Sequence, residues 1–147
     1  MRLITKQVDN KPLTVTIEYP KLDTKIENLI KKIKSLDFII SGNYNGKTFA
    51  VNISDIYYME SVERKTFLYT KDDIYMTDRK LYEFEEQLKE TTIIRISKSC
   101  LMNMDMLYSV KQLRNSQLEA TLINGEKLIV ARTYLKDMKN ILKETVR

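Results

Sequence analysis

Two cationic side chains and two hydroxyls lie within five consecutive positions at residues 95–99, in the run Arg95-Ile-Ser-Lys98-Ser99. A β-prone apolar run leads into this cluster, and the chain then resumes as Leu101-Met102 before Asn103. Phosphate groups are bound by charged and hydroxyl donors, whereas base edges are contacted by rigidly held side chains. The cluster therefore suits contact with a nucleic acid at the end of a strand.

The composition argues against several kinds of catalytic site. The chain has no histidine, so an imidazole general base, a Ser-His or Cys-His pair and a histidine metal ligand are excluded. The adjacent carboxylates at residues 72–73 and 85–86 would not share a helix face, and paired acids in a turn commonly only solvate it. With three glycines, the chain has no glycine-rich phosphate loop. We expect a protein that is not an enzyme and that uses neither a cofactor nor a metal; the alternative that the composition leaves open is an enzyme based on carboxylates or lysine alone.

The net charge of +5 suits a polyanionic partner, but its distribution is uneven. Residues 1–36 carry +4, whereas residues 37–147 carry only +1. Nucleic-acid binding by the larger part would therefore depend on clustering. Candidate clusters are Arg64-Lys65, Arg79-Lys80 and Arg95 with Lys98, and Arg132 stands alone further on. The alternative interpretation is that each is an ordinary solvated surface.

The length and the single cysteine indicate one cytoplasmic domain, or a domain with a small appendage. Cys100 cannot form an internal disulfide, the chain opens with no signal-peptide pattern, and no apolar run approaches the roughly 18 residues that a membrane span needs. At 147 residues the chain can bury enough apolar surface to fold without disulfides.

The first 36 residues predict a strand followed by a helix. Residues 13–19 alternate strictly between apolar and polar side chains, which is typical of a half-buried strand, and Pro20 ends it. Apolar residues then recur at helical spacing, which predicts an amphipathic helix over residues 24–35. Thr24 and Glu27 resemble a capping box at its start. This N-terminal extension is predicted to pack on the rest of the chain, and a dimerisation or inhibitor-docking surface is the alternative.

From residue 37 the pattern predicts short strands separated by turns, with helices at the edges. Asn45-Gly46 and Asn124-Gly125 are strong hairpin signals. A short helix is predicted over about residues 80–89, started by Asp78, and a last helix carries Leu135, Met138, Ile141 and Leu142. The fold class is therefore mainly β, and any DNA contact should come from loops or strands. The predicted strands cover residues 38–43, 47–52, 56–60, 67–70, 74–77, 93–96, 101–103, 106–111, 118–123 and 127–131.

Across most of residues 38–142 the motifs resemble the LytTR domain, a bacterial DNA-binding module. The quoted motifs are Ile56-Tyr-Tyr-Met-Glu60, a basic loop and strand from Ser61 to Thr70, the helix ending at Leu88, Arg95-Ile-Ser-Lys98-Ser99-Cys-Leu-Met102-Asn103 and Asn124-Gly-Glu-Lys-Leu128-Ile-Val130-Ala-Arg132-Thr-Tyr134. Several ordered motifs at matching spacing make the resemblance specific. The departures are Met102 for valine, Ala131 for serine, and Ser97 and Thr66 at positions where histidine occurs.

The resemblance implies stacked short β-sheets whose loops enter successive major grooves on one face of double-stranded DNA. It implies base contacts from Thr66, in a loop over residues 64–67, from Lys98 and from Arg132. The fork of Arg132 and the ammonium of Lys98 suit the O6 and N7 acceptors of guanine, and Thr66 could offer a hydroxyl or a methyl contact to thymine. Arg64, Lys65, Arg79 and Ser99 would then contact phosphates and set the register.

The resemblance further implies a transcriptional regulator without a receiver domain, since residues 1–36 offer only a strand and a helix. Repeated DNA half-sites, a homodimer on DNA and a membrane-bound inhibitor protein are the partners it suggests. Other roles stay open for the site residues: Arg132 could pair with Asp137 or bridge strands, Ser99 could cap a turn, and Lys98 could be solvated. The rival function is a β-rich protein-interaction module, and RNA binding is weaker because no aromatic base-stacking motif is present.

Overall fold

The computed structural model describes residues 1–145, with side-chain burial described through Leu142. Ten strands and three helices follow one another in the chain, joined in places by short 3₁₀ turns. The helices are α1 (Thr24–Leu36), α2 (Leu81–Gln87) and α3 (Leu135–Thr145). The strands are β1 (Ile39–Tyr44), β2 (Lys47–Asn52), β3 (Ile56–Val62), β4 (Lys65–Thr70), β5 (Ile74–Thr77), β6 (Ile93–Ser97), β7 (Cys100–Asn103), β8 (Leu107–Gln112), β9 (Leu118–Leu122) and β10 (Lys127–Val130).

The strands form two antiparallel sheets. The larger has seven strands in the order β2-β1-β5-β4-β3-β7-β6, and the smaller has the order β10-β9-β8. Alternate residues of the larger sheet face opposite ways, because side chains in a strand alternate between its two faces. Met59, Leu68 and Leu101 face one core, which α2 completes with Leu81, Phe84 and Leu88. The mainly β architecture with stacked sheets and flanking helices is therefore confirmed.

The opposite face of the larger sheet packs on the smaller sheet and on α3. Its core includes Ile96, Met102 and Ala120, together with Met138 of α3. Tyr58 stacks on Tyr69 here, with ring centroids 4.2 Å apart. Burial is the main cause that raises the pKa of both phenols, so they act as neutral packing groups.

Of the two elements predicted in the N-terminal extension, the helix is formed and the strand is not. The predicted strand over residues 13–19 is not formed, because a strand needs a partner and this segment has none in the described chain. The helix is formed as α1, but its N-cap is Asp23 and not Thr24. The Asp23 carboxylate accepts a hydrogen bond from the Ile26 amide at 2.9 Å.

Helix α1 is fixed to the rest of the chain at its C-terminal end. Buried Ser35 accepts a hydrogen bond from the Thr92 amide at 3.1 Å, and Lys34 pairs with Glu90 at 2.8 Å. The Asn52 side chain donates to the Leu36 carbonyl at 2.9 Å. The division into residues 1–36 and 37–147 stays a prediction, and residues 146–147 lie outside the described part.

Helix α2 begins one residue later than predicted, and Asp78 does not start it. The residue before its first turn is Lys80, whose backbone amide donates to the Glu83 carboxylate at 2.8 Å. This contact satisfies one of the donors that a helix N-terminus leaves free. As a result, residues 78–80 form a separate loop between β5 and α2.

Candidate nucleic-acid interface

Three turns and one strand–helix junction meet at one end of the larger sheet. The Ser61 amide of β3 donates to the Ser99 carbonyl at 2.8 Å, which joins the β3–β4 and β6–β7 turns. The Ala131 amide donates to the Ile96 carbonyl at 2.8 Å, which joins the start of the last helical segment to β6. We call this end the turn edge, meaning residues 62–65, 78–80, 97–99 and 131–133.

The β3–β4 turn is tighter than the sequence indicates. Val62 pairs directly with Lys65, and the two residues between them, Glu63 and Arg64, have φ values of 50° and 69°. Positive φ at both central residues is the geometry of a type I′ hairpin turn, which usually carries asparagine or glycine. The Lys80 ammonium donates to the Arg64 carbonyl at 3.1 Å, so the β5–α2 loop supports this strained turn.

Of the three predicted base contacts, Thr66 is the one whose position in the structure differs from the prediction. It lies in β4, not in a loop, and only 1% of its surface is exposed. Its hydroxyl donates to the Arg79 carbonyl at 2.7 Å. Because the Val62–Lys65 pairing shortens the turn, Thr66 faces the α2 side of the sheet. A hydroxyl that is buried and already bonded has no surface to offer a base in this conformation.

The β6–β7 turn is stabilised by hydrogen bonds from the side chain of Arg95. Its guanidinium donates to the carbonyls of Ser97 at 3.0 Å and Lys98 at 2.8 Å. A third contact, 3.3 Å long, pairs it with Glu85 of α2. Since the fork of an arginine fixes several acceptors at once, Arg95 positions the turn that carries Lys98.

Asn103, the last residue of the same motif, also has a structural role. It is fully buried, and its side-chain oxygen accepts from the Thr92 hydroxyl at 2.7 Å. Its side-chain nitrogen donates to the Ile56 carbonyl at 2.8 Å. A buried amide with all of its groups bonded fixes the start of β3 relative to the end of β7.

Four cationic side chains of the turn edge are left without a partner in the described part of the chain. They belong to Arg64, Lys65, Lys98 and Arg132, and all four residues are exposed. Arg132 makes no ion pair with Asp137, which removes that alternative for its role. Exposed cations on adjacent turns are what contact with a polyanion requires.

The remaining cation of the predicted set is already engaged. The Arg79 guanidinium lies 4.4 Å from the centroid of the Phe84 ring and donates to Gln87 at 2.7 Å. Ser99 is exposed; its amide donates to the Ser97 hydroxyl within the turn, and its carbonyl accepts from the Ser61 amide of β3. The acidic residues Glu63 and Asp78 also lie on these turns, so the positive charge is local.

Five of the seven predicted contact residues therefore lie on the turn edge with free side chains, namely Arg64, Lys65, Lys98, Ser99 and Arg132. Of the other two, Thr66 is buried, and the side chain of Arg79 packs on α2. The sequence did not indicate the supporting roles of Lys80, Glu85 and Arg95. A signal for Arg95 would have been its position in β6 two residues after Ile93, which puts it on the face covered by α2.

No group of three or more histidine, cysteine, aspartate or glutamate side chains within the described residues is arranged to hold a metal ion. Burial raises the pKa of the Cys100 thiol to about 12, so this group is a packing residue and not a nucleophile. None of the helices over residues 1–145 is long and apolar enough to cross a membrane.

The two-sheet fold and its cationic turn edge define a small β-rich module suited to contact a polyanion through turns. The sequence pattern of the LytTr DNA-binding domain matches residues 46–143, which is about two thirds of the chain. The chain therefore belongs to the LytTr DNA-binding domain family. The match starts within the β1–β2 turn, so α1 and β1 precede it.

Relatives and a solved structure agree with this assignment. The chain is 30% identical over 93 residues to the sensory transduction protein LytT of Bacillus cereus, covering 63% of this chain and 38% of LytT. It is 25% identical over 130 residues to an uncharacterized HTH-type transcriptional regulator of Staphylococcus aureus, covering 87% of this chain and 88% of that protein. A solved LytTr DNA-binding domain from Bacillus cereus superposes with a TM-score of 0.66 at 21% identity, covering 71% of this chain and 95% of that one.

Proposed function

We propose that this chain is a transcriptional regulator that binds double-stranded DNA sequence-specifically through its turn edge. The observation that carries the proposal is the set of four unpaired cations on adjacent turns of a LytTr-family domain. Lys98 and Arg132 are the proposed base contacts, because their side chains are free and the backbone beneath them is hydrogen-bonded to the sheet. The proposal includes no catalytic step and places the protein in the cytoplasm, where the DNA is.

Arg64, Lys65 and Ser99 are proposed phosphate contacts that set the register on the duplex. Arg79 remains a weaker candidate for this role, since its guanidinium would keep some donors free while stacked on Phe84. Thr66 is not retained as a base contact, because its hydroxyl is bonded to the Arg79 carbonyl. Its proposed role is to hold the loop over residues 78–80 against β4.

The turns are proposed to enter neighbouring major grooves on one face of the duplex. The β3–β4 and β6–β7 turns lie side by side at one end of the larger sheet, and each can place one side chain against a base edge. A single copy presents one such set of turns. Two copies on repeated half-sites would double the contact and are the proposed arrangement on DNA.

Selection of bound duplexes from a random pool tests the proposal directly. Polarisation titrations with the selected duplex and with a scrambled duplex then measure specificity. Lys98→Ala and Arg132→Ala should each weaken specific binding by about 1–3 kcal/mol and relax the preference at one base pair. Lys127→Ala is the matched control, because this exposed lysine lies at the far end of β10 and makes only a weak surface pair with Glu119.

A salt titration provides a second test. Neutralising two phosphates with Arg64 and Lys65, the free cations assigned to phosphates, should give a slope of about −2 in the logarithm of affinity against the logarithm of salt. A failure to enrich any duplex, with a slope near zero, would favour the protein-interaction alternative. The membrane-bound inhibitor is a further proposal, and co-purification of the tagged chain with detergent-solubilised membrane proteins would test it.

A further inference from the structure

The segment over residues 13–19 has the pattern of a strand but no partner in the described chain. Leu13, Val15, Ile17 and Tyr19 alternate with polar residues; Leu13, Val15 and Tyr19 are exposed, whereas Ile17 is half-buried. No hydrogen bond or ion pair joins residues 1–22 to the rest of the described chain, and the one side-chain bond within them links Thr14 to Pro12. Leaving the three exposed apolar side chains in water is unfavourable, so this segment is suited to pairing with another surface.

The edge of the smaller sheet offers such a surface. Strand β8 pairs with β9 alone, so its other edge keeps free backbone donors and acceptors. A groove of about 810 Å³ runs between β8 and α3. Apolar side chains of Val110, Leu135 and Leu142 line it, and the cations Arg132, Lys136 and Lys139 border it.

The segment and the groove match in length, in pattern and in charge. Seven residues can pair with the six of β8, and the alternation places four apolar side chains on the face that would enter the groove. The single charged residue of the segment is Glu18, whereas the charged residues of β8 and of the groove border are all cations. Addition of an extended segment to an exposed sheet edge is an established way of forming complexes.

We propose that residues 13–19 of one copy add to β8 of a second copy, with their apolar side chains in the groove beside α3. The exchange is reciprocal, since each copy offers one segment and one edge, and the product is a two-fold dimer. A second copy is the occupant because α1, which follows the segment, is fixed to its own domain through Ser35 and Lys34, while no hydrogen bond or ion pair joins the segment to that domain. The inference does not depend on DNA binding, because every contact in it is between protein surfaces.

Substitutions in the full chain test the exchange without disturbing the fold. Thr16→Pro removes an amide and fixes φ in the middle of the segment, so it should weaken strand pairing. Thr5→Pro is the matched control, since it makes the same change in residues 1–11, outside the segment. We expect size-exclusion chromatography with light scattering to give a mass near twice 17.4 kDa for the unaltered chain. The dissociation constant should rise at least tenfold for Thr16→Pro and less than twofold for Thr5→Pro.

Disulfide trapping between two differently tagged chains tests the register and the source of the segment. One chain carries Val15→Cys and the other Val110→Cys, and the native Cys100 is buried. Mixing them under mild oxidation should give a mixed-tag dimer that reductant dissolves. A chain that stays monomeric at high concentration overturns the inference, as do equal effects of the two proline variants. It also fails if a chain carrying both cysteines forms only an internal disulfide, because the segment would then occupy its own groove. All of these measurements are made without DNA, so they are separate from the test of the proposed function.

Discussion

Replacing Thr66 by valine separates the role that the structure gives this residue from the one that the sequence predicts. The substitution keeps the shape of the side chain and removes the hydroxyl that donates to the Arg79 carbonyl at 2.7 Å. If Thr66 supports the β5–α2 loop, the variant should unfold more easily and keep its base preference. If Thr66 contacts a base, the variant should keep its stability and change its preference at one base pair.

The expected cost follows from the environment of the lost hydrogen bond. A net intramolecular hydrogen bond contributes about 0.5–1.5 kcal/mol, and a buried carbonyl left without a donor costs about 1–3 kcal/mol. The Thr66 side chain is 1% exposed, but Arg79 is an exposed residue, so water can reach part of its carbonyl. We expect the free energy of unfolding to fall by about 1–2 kcal/mol. For a chain of this size, that is a fall in Tm of roughly 3–8 °C.

Urea unfolding followed by circular dichroism measures the first quantity, and titrations with single-base variants of the selected duplex measure the second. Thr48→Val is the control, because the Thr48 hydroxyl also makes one bond, to Asn43 at 2.9 Å, but on the exposed surface. Its effect on stability should stay within about 0.5 kcal/mol. An unchanged unfolding curve for Thr66→Val, combined with a new preference at one base pair, would refute the structural role.

Three further outcomes follow from contacts described above. Arg95→Lys keeps the charge but loses the planar guanidinium that holds the β6–β7 turn. We therefore expect the affinity for the selected duplex to fall about tenfold or more, and the affinity for scrambled duplex to change less than twofold. Equal losses of affinity for both duplexes would contradict the positioning role of Arg95. Gly42→Ala places a Cβ 2.6 Å from the Cβ of Tyr75, and urea titration should show a loss of about 1–3 kcal/mol. The pKa of the Cys100 thiol is raised to about 12, so alkylation at pH 8 should be slow in the folded chain and fast in urea. The pKa of this thiol is 9.0 when it is exposed and about 12 in the folded chain, because burial disfavours the thiolate. The contribution of the neutral thiol to stability is therefore fully present below pH 9.0 and is lost as the pH rises towards 12.

Local sequence signals were enough for most of the elements in the β-rich part. The strand over residues 74–77 has the predicted bounds, and the Asn45-Gly46 turn lies where its positive-φ residues require it. The turn at Glu63 and Arg64 carries no such signal, because neither residue is a usual choice for positive φ. Thr66 was therefore assigned to a loop, although it lies one residue inside β4.

Non-local contacts explain the other differences. Alternation over residues 13–19 satisfies the pattern of a strand, but a strand forms only against a partner edge, and pattern alone cannot supply one. Arg132 could be placed beside Lys98 only through the family resemblance, since the bond between Ala131 and Ile96 joins residues far apart in the chain. The Arg95 guanidinium likewise reaches Glu85 on a separate helix.

Strand β6 serves as a common reference for the two proposed base contacts. Lys98 follows it directly, and Arg132 is tied to it by the bond from Ala131 to the Ile96 carbonyl. The separation between the two side-chain attachment points is therefore built into one rigid ladder. One extra base pair between the base contacted by Lys98 and the base contacted by Arg132 would move one of these bases by about 3.4 Å along the duplex axis, away from its side chain. The protein should consequently tolerate changes of sequence between these positions far better than changes of spacing.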